Sequence, residues 1–194
     1  LAHIVERSKM GEKKEMIFGI NIPEKKGTFR KLCKSIGQKN ITEFSYRLDK
    51  TQEAKILLGL EFTKGEIEKK SFIKSMKLKK YKITDLSNDE ISKVHLRYMS
   101  GGRAPELANG EMEEVFKVDF PERPGALMQF LDLLKDKWNI SLFHYKNQGS
   151  IYGGALVGFS IKSSQLNKLN KDLLNTEYPF TRVSENAGYK AFLK

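Results

Sequence analysis

The sequence predicts an α+β fold: two ferredoxin-like β-α-β-β-α-β units in tandem, each an antiparallel sheet with its helices on one face. Three observations carry that prediction. Residues 115–145, VFKVDFPERPGALMQFLDLLKDKWNISLFHY, repeat the plan of residues 17–46, IFGINIPEKKGTFRKLCKSIGQKNITEFSY. Setting Pro23 against Pro121 brings Glu24 onto Glu122, Gly27 onto Gly125 and Phe29 onto Leu127. One added residue then brings Asn40-Ile41 onto Asn139-Ile140, Phe44 onto Phe143 and Tyr46 onto Tyr145. In each copy a strand of period two runs into a Pro/Gly turn that opens an amphipathic helix. Finally, 194 residues are enough for two domains of under a hundred residues each, and the repeat decides for two.

Residues 1–14 are mixed and charged, with Gly11 as a breaker, and read as a connector from a preceding domain. The first unit, residues 15–100, opens with Met16, Phe18, Ile20 and Ile22 alternating with Ile17, Gly19 and Asn21, a strand with one face in a core. Pro23 ends it. Phe29, Leu32, Cys33 and Ile36 then follow the i, i+3, i+4, i+7 spacing of a helix face, and Gly37 stops the helix. Residues 41–48 and 53–62 read as strands around a polar turn. Residues 66–79 form a helix burying Phe72, Ile73 and Met76, and residues 81–85 a short fourth strand. Ser87 and Glu90 make a capping-box pattern, which predicts a further helix over residues 88–98 carrying Ile91, Val94, His95 and Tyr98 on one side. Gly101-Gly102 breaks it, and residues 101–113 read as the linker between units.

The second unit, residues 114–194, is the cleaner copy. Phe116, Val118 and Phe120 alternate with Lys117 and Asp119, and the turn Pro121-Glu122-Arg123-Pro124-Gly125 follows. Ala126, Leu127, Phe130, Leu131 and Leu134 form the helix stripe. Strands are expected at residues 140–145, 155–161 and 180–183, with a helix over 164–175 carrying Leu166, Leu169, Leu173 and Leu174. Tyr189, Phe192 and Leu193 predict that the tail docks.

Composition narrows the function. Lys plus Arg outnumber Asp plus Glu by 35 to 24, a net charge of +11 that permits an acidic partner without requiring one. Cys33 is the only cysteine, so no internal disulfide forms, and no Cys/His cluster has zinc spacing. A reducing compartment follows. No apolar run approaches the roughly 20 residues of a membrane span, so no membrane partner is expected.

The chemistry concentrates where each first helix begins. Backbone N–H groups there lack intrahelical partners and the dipole is positive, which suits a carboxylate. Gly27 or Gly125 lets a ligand reach the backbone without meeting a Cβ atom. By itself the pattern is most simply a strand-to-helix turn.

The stretches IPEKKGTFRKLC, TEFSYR, DLSNDEISKVHLRYMSGGR, FPERPGALMQFLD and WNISLFHY add a more specific pointer. Together, and in this order, they are similar to the carboxy-terminal regulatory region of the biosynthetic threonine dehydratase (threonine ammonia-lyase) family, which holds two ACT-like subdomains. VERSKMGEK, residues 5–13, looks like the connector leaving that family's catalytic domain. The resemblance covers nearly the whole chain, more weakly after Gly158.

The resemblance implies that isoleucine binds as feedback inhibitor and valine opposes it. It implies effector-binding roles for Tyr46 and Tyr145, and links Arg97 to feedback control. Lys146 stands where relatives often have Arg, and a lysine cannot give arginine's bidentate contact. The helix-opening residues it implicates are Arg123, Pro124, Gly125, Ala126 and Leu127. In the first copy they are Lys26, Gly27, Thr28 and Phe29, with Lys26 in place of proline. It further implies deamination of threonine to 2-oxobutanoate on pyridoxal phosphate in a catalytic domain upstream. This region carries neither the Schiff-base lysine motif nor a glycine-rich phosphate loop, so no cofactor and no catalysis are expected in it. A homo-oligomer, dimer or tetramer, is expected, in the cytoplasm or in a plastid or mitochondrial matrix.

Plainer readings hold elsewhere. His95 and His144 lack ligand-spaced partners and read as packed or hydrogen-bonded. Alternation puts His144 on the side of its strand away from Tyr145. Cys33 reads as core, and the lysines between Lys64 and Lys82 as a solvated face. The competing function is RNA binding, since the RRM shares this element order. AKILLGLEF and ALVGFSI lack the RNP1 pattern, so no nucleic-acid partner is expected.

Overall fold

Alternating side chains decide which face of each strand is covered, and in the computed structural model that face is continuous across both copies. The structure describes residues 14–23, 25, 27–48, 53–89, 107, 110–121, 123–147 and 152–185. The first unit contains β1 (Lys14–Pro23), α1 (Thr28–Ile36), β2 (Asn40–Arg47), β3 (Glu53–Phe62), α2 (Gly65–Leu78) and β4 (Lys82–Asp85). The second contains β5 (Glu111–Pro121), α3 (Ala126–Leu134), β6 (Asn139–Lys146), β7 (Tyr152–Lys162), α4 (Leu166–Leu174) after a 3-10 turn at Ser163–Gln165, and β8 (Phe180–Arg182). The β-α-β-β-α-β order holds in each.

The strands form one eight-stranded antiparallel sheet in the order β4-β1-β3-β2-β6-β7-β5-β8. The repeated strands β2 and β6 pair with each other, Phe44 opposite Tyr145 and Tyr46 opposite Phe143. That pairing satisfies the edge N–H and C=O groups that two separate sheets would leave open. It also makes the units near-symmetric about the seam and brings α1 against α3. One apolar core runs through both, from Phe18 and Phe62 to Phe116 and Phe159. Rings meet across the seam: Phe143 lies 5.5 Å from Phe29 and 5.7 Å from Phe44.

Each copy bends its second strand at a bulge, between Ile41 and Glu43 in β2 and between Ile140 and Leu142 in β6. A glycine of the neighbouring strand faces each bulge. A Cβ at Gly158 would stand 2.7 Å from the Leu142 Cβ, closer than real contacts allow. Gly158→Ala must therefore push β6 from β7, and a loss of about 1 to 3 kcal/mol is expected in urea unfolding. Gly154→Ala, whose new methyl meets the far end of the Lys117 side chain at 3.3 Å and the Asp119 Oδ1 at 3.9 Å, is the control, expected within about 0.5 kcal/mol of wild type.

Several expectations need correction. β5 begins at Glu111, inside the predicted linker, because its ladder with β7 runs on to Glu111 opposite Lys162. Leu174 is 68% exposed and is no part of the core stripe, since α4 ends there and turns away. Lys69, read as solvated, is buried, its ammonium held by Glu66 at 2.7 Å and Asp85 at 3.0 Å. Ser87 is tied back to Asp85 and accepts from the Ile17 N–H at 3.3 Å. Glu90, the rest of the predicted helix over 88–98 and the tail from 186 lie outside the described residues. Among the described residues no helix is long and apolar enough to cross a membrane.

Candidate functional site

Both helices that follow a Pro/Gly turn open on a glycine in the left-handed region, Gly27 at φ 85° and Gly125 at φ 82°. A side chain there would strain the backbone, so glycine is required first by the turn itself. Neither helix has a side-chain cap or an acidic residue in its first turn. In α3 the Ala126 N–H donates to the Arg123 carbonyl at 3.3 Å, and the Gln129 N–H to Gly125 at 2.9 Å. Among the described residues no acceptor meets the N–H of Leu127 or Met128. In α1 the Thr28 hydroxyl is spent on the turn, facing the carbonyls of Lys25 at 2.6 Å and Pro23 at 2.8 Å.

The seam sets each helix beginning against the far side of the other copy, and this makes two related clefts. The first gathers Arg123, Gly125, Ala126, Leu127, Met128 and Tyr145 and faces Cys33, Lys39, Asn40 and Ile41 of the first unit. Its mirror gathers Gly27, Thr28, Phe29 and Tyr46 and faces Leu131, Asp136, Trp138 and Ile140 of the second. They enclose about 40 and 30 Å³. Each holds a few waters at most, so a larger ligand needs the rim to move.

The expected residues thus divide into two groups of one plan. Pro124 is exposed in the turn and lines neither cleft. Lys146 pairs with Glu43 one position beyond Tyr145, so strand alternation turns it to the opposite sheet face. His144 is on that face too. Lys26 and Arg97 lie outside the described residues.

The cross-seam walls, Cys33, Lys39, Asn40 and Ile41, were not among the expected set. Their one sequence signal is the repeated Asn-Ile, which marks a position without saying what faces it. Burial pushes the Cys33 thiol up, so it stays neutral and acts as an apolar wall. Lys39 is already engaged: its ammonium holds Glu68 at 3.0 Å and lies 5.3 Å from the centre of the Phe62 ring. A Schiff-base cofactor does not fit a lysine so held. From the other side, the Tyr178 hydroxyl donates to the Ala126 carbonyl at 3.3 Å and steadies the first turn of α3.

A family model described as the C-terminal regulatory domain of threonine dehydratase matches residues 6–96 and 106–193. The biosynthetic L-threonine dehydratase IlvA of Burkholderia multivorans is 40% identical over 190 residues, which is 98% of this chain and 37% of that protein. The enzyme of the same name from Pasteurella multocida is 38% identical over 195 residues, 100% of this chain and 37% of that protein. The chloroplastic biosynthetic threonine dehydratase of Arabidopsis thaliana is 34% identical over 191 residues, 98% of this chain and 31% of that protein. The chain therefore spans about a third of the length of these relatives.

Proposed function

Because the chain belongs to the family of C-terminal regulatory domains of threonine dehydratase, we propose that it reads isoleucine on behalf of an upstream catalytic domain. That domain would carry pyridoxal phosphate and convert threonine to 2-oxobutanoate and ammonia. Isoleucine is the inhibitor in this reading and valine its antagonist, acting in a homo-oligomer.

The observation that supports it is the beginning of α3. Two N–H groups without acceptors among the described residues stand beside apolar walls and the ring of Tyr145. An α-carboxylate on those N–H groups gains up to about 2 kcal/mol when partly buried. An aliphatic side chain then rests on Leu127, Ile41 and Phe143. Isoleucine exceeds valine by one methylene, about 0.8 kcal/mol, which predicts a severalfold preference. A ligand touching both units biases their arrangement, and a coupling of about 1 to 3 kcal/mol is enough for control.

Calorimetry with isoleucine and valine tests this. Isoleucine is expected to bind severalfold more tightly than valine, and Tyr145→Ala to weaken isoleucine roughly tenfold, about 1.4 kcal/mol. Absence of heat and of any thermal shift at millimolar amino acid would remove the proposal.

A further inference from the structure

The repeat makes two clefts of one plan, but their side chains differ. At the Gly27 cleft Phe29 stands in the place of Leu127, and its ring packs on Phe44, Tyr46 and Phe143 at 5.3, 5.0 and 5.5 Å. Tyr46 is buried at 4% exposure, while Tyr145 is only half-buried. Trp138, in the place of Lys39, is buried and donates its Nε1–H to Asp172 at 3.0 Å.

Charge completes the difference. Arg30 of α1 reaches across the seam to Asp132 at 2.5 Å and Asp136 at 2.6 Å, and both Arg30 and Asp136 line the Gly27 cleft. The repeat puts Met128 at the position of Arg30 and Lys34 at that of Asp132, so the Gly125 cleft has no such clamp. There the residue nearest the glycine is Gln38, an exposed side chain 3.5 Å from where a Gly125 Cβ would sit. Gln38 and the half-buried Met128 can turn aside by changing rotamer. Opening the Gly27 cleft instead means lifting Phe29 and Tyr46 out of packed aromatic contacts and parting Arg30 from two carboxylates.

We propose that the chain binds one effector molecule, in the Gly125 cleft, and that the Gly27 cleft is a closed copy held shut by packed rings and the Arg30 clamp. This rests on the effector reading above. It assigns the two repeats different tasks: the second supplies the helix beginning that meets the ligand, and the first supplies the opposing wall.

Titration calorimetry of the chain with isoleucine is expected to give one equivalent per chain. Leu127→Phe, which copies the closed side, is expected to weaken binding at least tenfold. Arg30→Met, which copies the open side, should keep one equivalent and a Kd within twofold. Methyl NMR of the unmutated chain supplies a readout that needs no variant: isoleucine should shift the methyls of Leu127 and Met128 and leave that of Thr28 in place. Two equal equivalents, or matching shifts at Thr28, would overturn the closed copy and leave the effector reading standing. No heat and no shifts with isoleucine or valine would overturn both together.

Discussion

Replacing Arg47 by alanine is expected to destabilise the chain by about 3 to 5 kcal/mol, the range for removing one partner of a buried ion pair. Arg47 ends β2 in the first unit and forks onto Glu113 of β5 in the second, Nη1 to Oε1 at 2.7 Å and Nη2 to Oε2 at 3.0 Å. The two side chains are 6% and 4% exposed, so water contributes little to solvating either. Ser141 adds a hydroxyl to the same Oε1 at 2.5 Å. Taking away the guanidinium removes a two-pronged cationic partner from a buried carboxylate. Arg47→Lys keeps a charge but loses the fork, and an intermediate loss is expected. The double variant Arg47→Met with Glu113→Leu should recover most of the stability, because the desolvation of both charges disappears with the attraction. Urea unfolding of the unmutated chain, Arg47→Met, Glu113→Leu and the double variant makes the cycle. A loss below about 1 kcal/mol for Arg47→Ala would mean that the pair behaves as an exposed one.

Phe143→Ala is expected to cost a similar amount, about 3 to 5 kcal/mol, and to change the character of unfolding as well. Phe143 is 1% exposed and belongs to the second unit, yet its ring packs on Phe29 and Phe44 of the first and lies 6.1 Å from Phe120 of its own. Its loss opens a cavity at the seam, where it weakens the coupling of the units. Scanning calorimetry should show one transition in the unmutated chain and two in Phe143→Ala. Phe116→Ala is the comparison, since Phe116 is equally buried but contacts Phe159 and Phe180 of its own unit. That variant should be as costly and keep one transition. Two transitions in the unmutated chain would refute the coupling.

The strands and helices were legible because their signals are local. Met16, Phe18, Ile20 and Ile22 alternate in the sequence and are all buried on one face of β1. Phe130, Leu131 and Leu134 lie on the buried face of α3 as their spacing predicts. The glycines at 27 and 125 were legible as turn positions, though their left-handed φ is set by the folded turn. The facing of Lys146 was legible as well: the alternation that turns His144 away from Tyr145 turns Lys146 the same way, and only the resemblance placed it with the effector residues. Leu174 misled because periodicity does not say where a neighbouring element stops covering a helix.

By itself the sequence determined the duplicated unit, its element order, the buried face of most elements and the two glycine turns, all of which depend on residues close together in the chain. Only the tertiary structure decided that β2 pairs with β6, so that each helix beginning faces the other repeat's wall. Strand pairing is made by backbone N–H and C=O groups that nearly every residue carries, so no residue pattern announces which edges meet. The unequal clefts follow from that pairing: Arg30 meets Asp132 only because the seam brings together residues far apart in the chain.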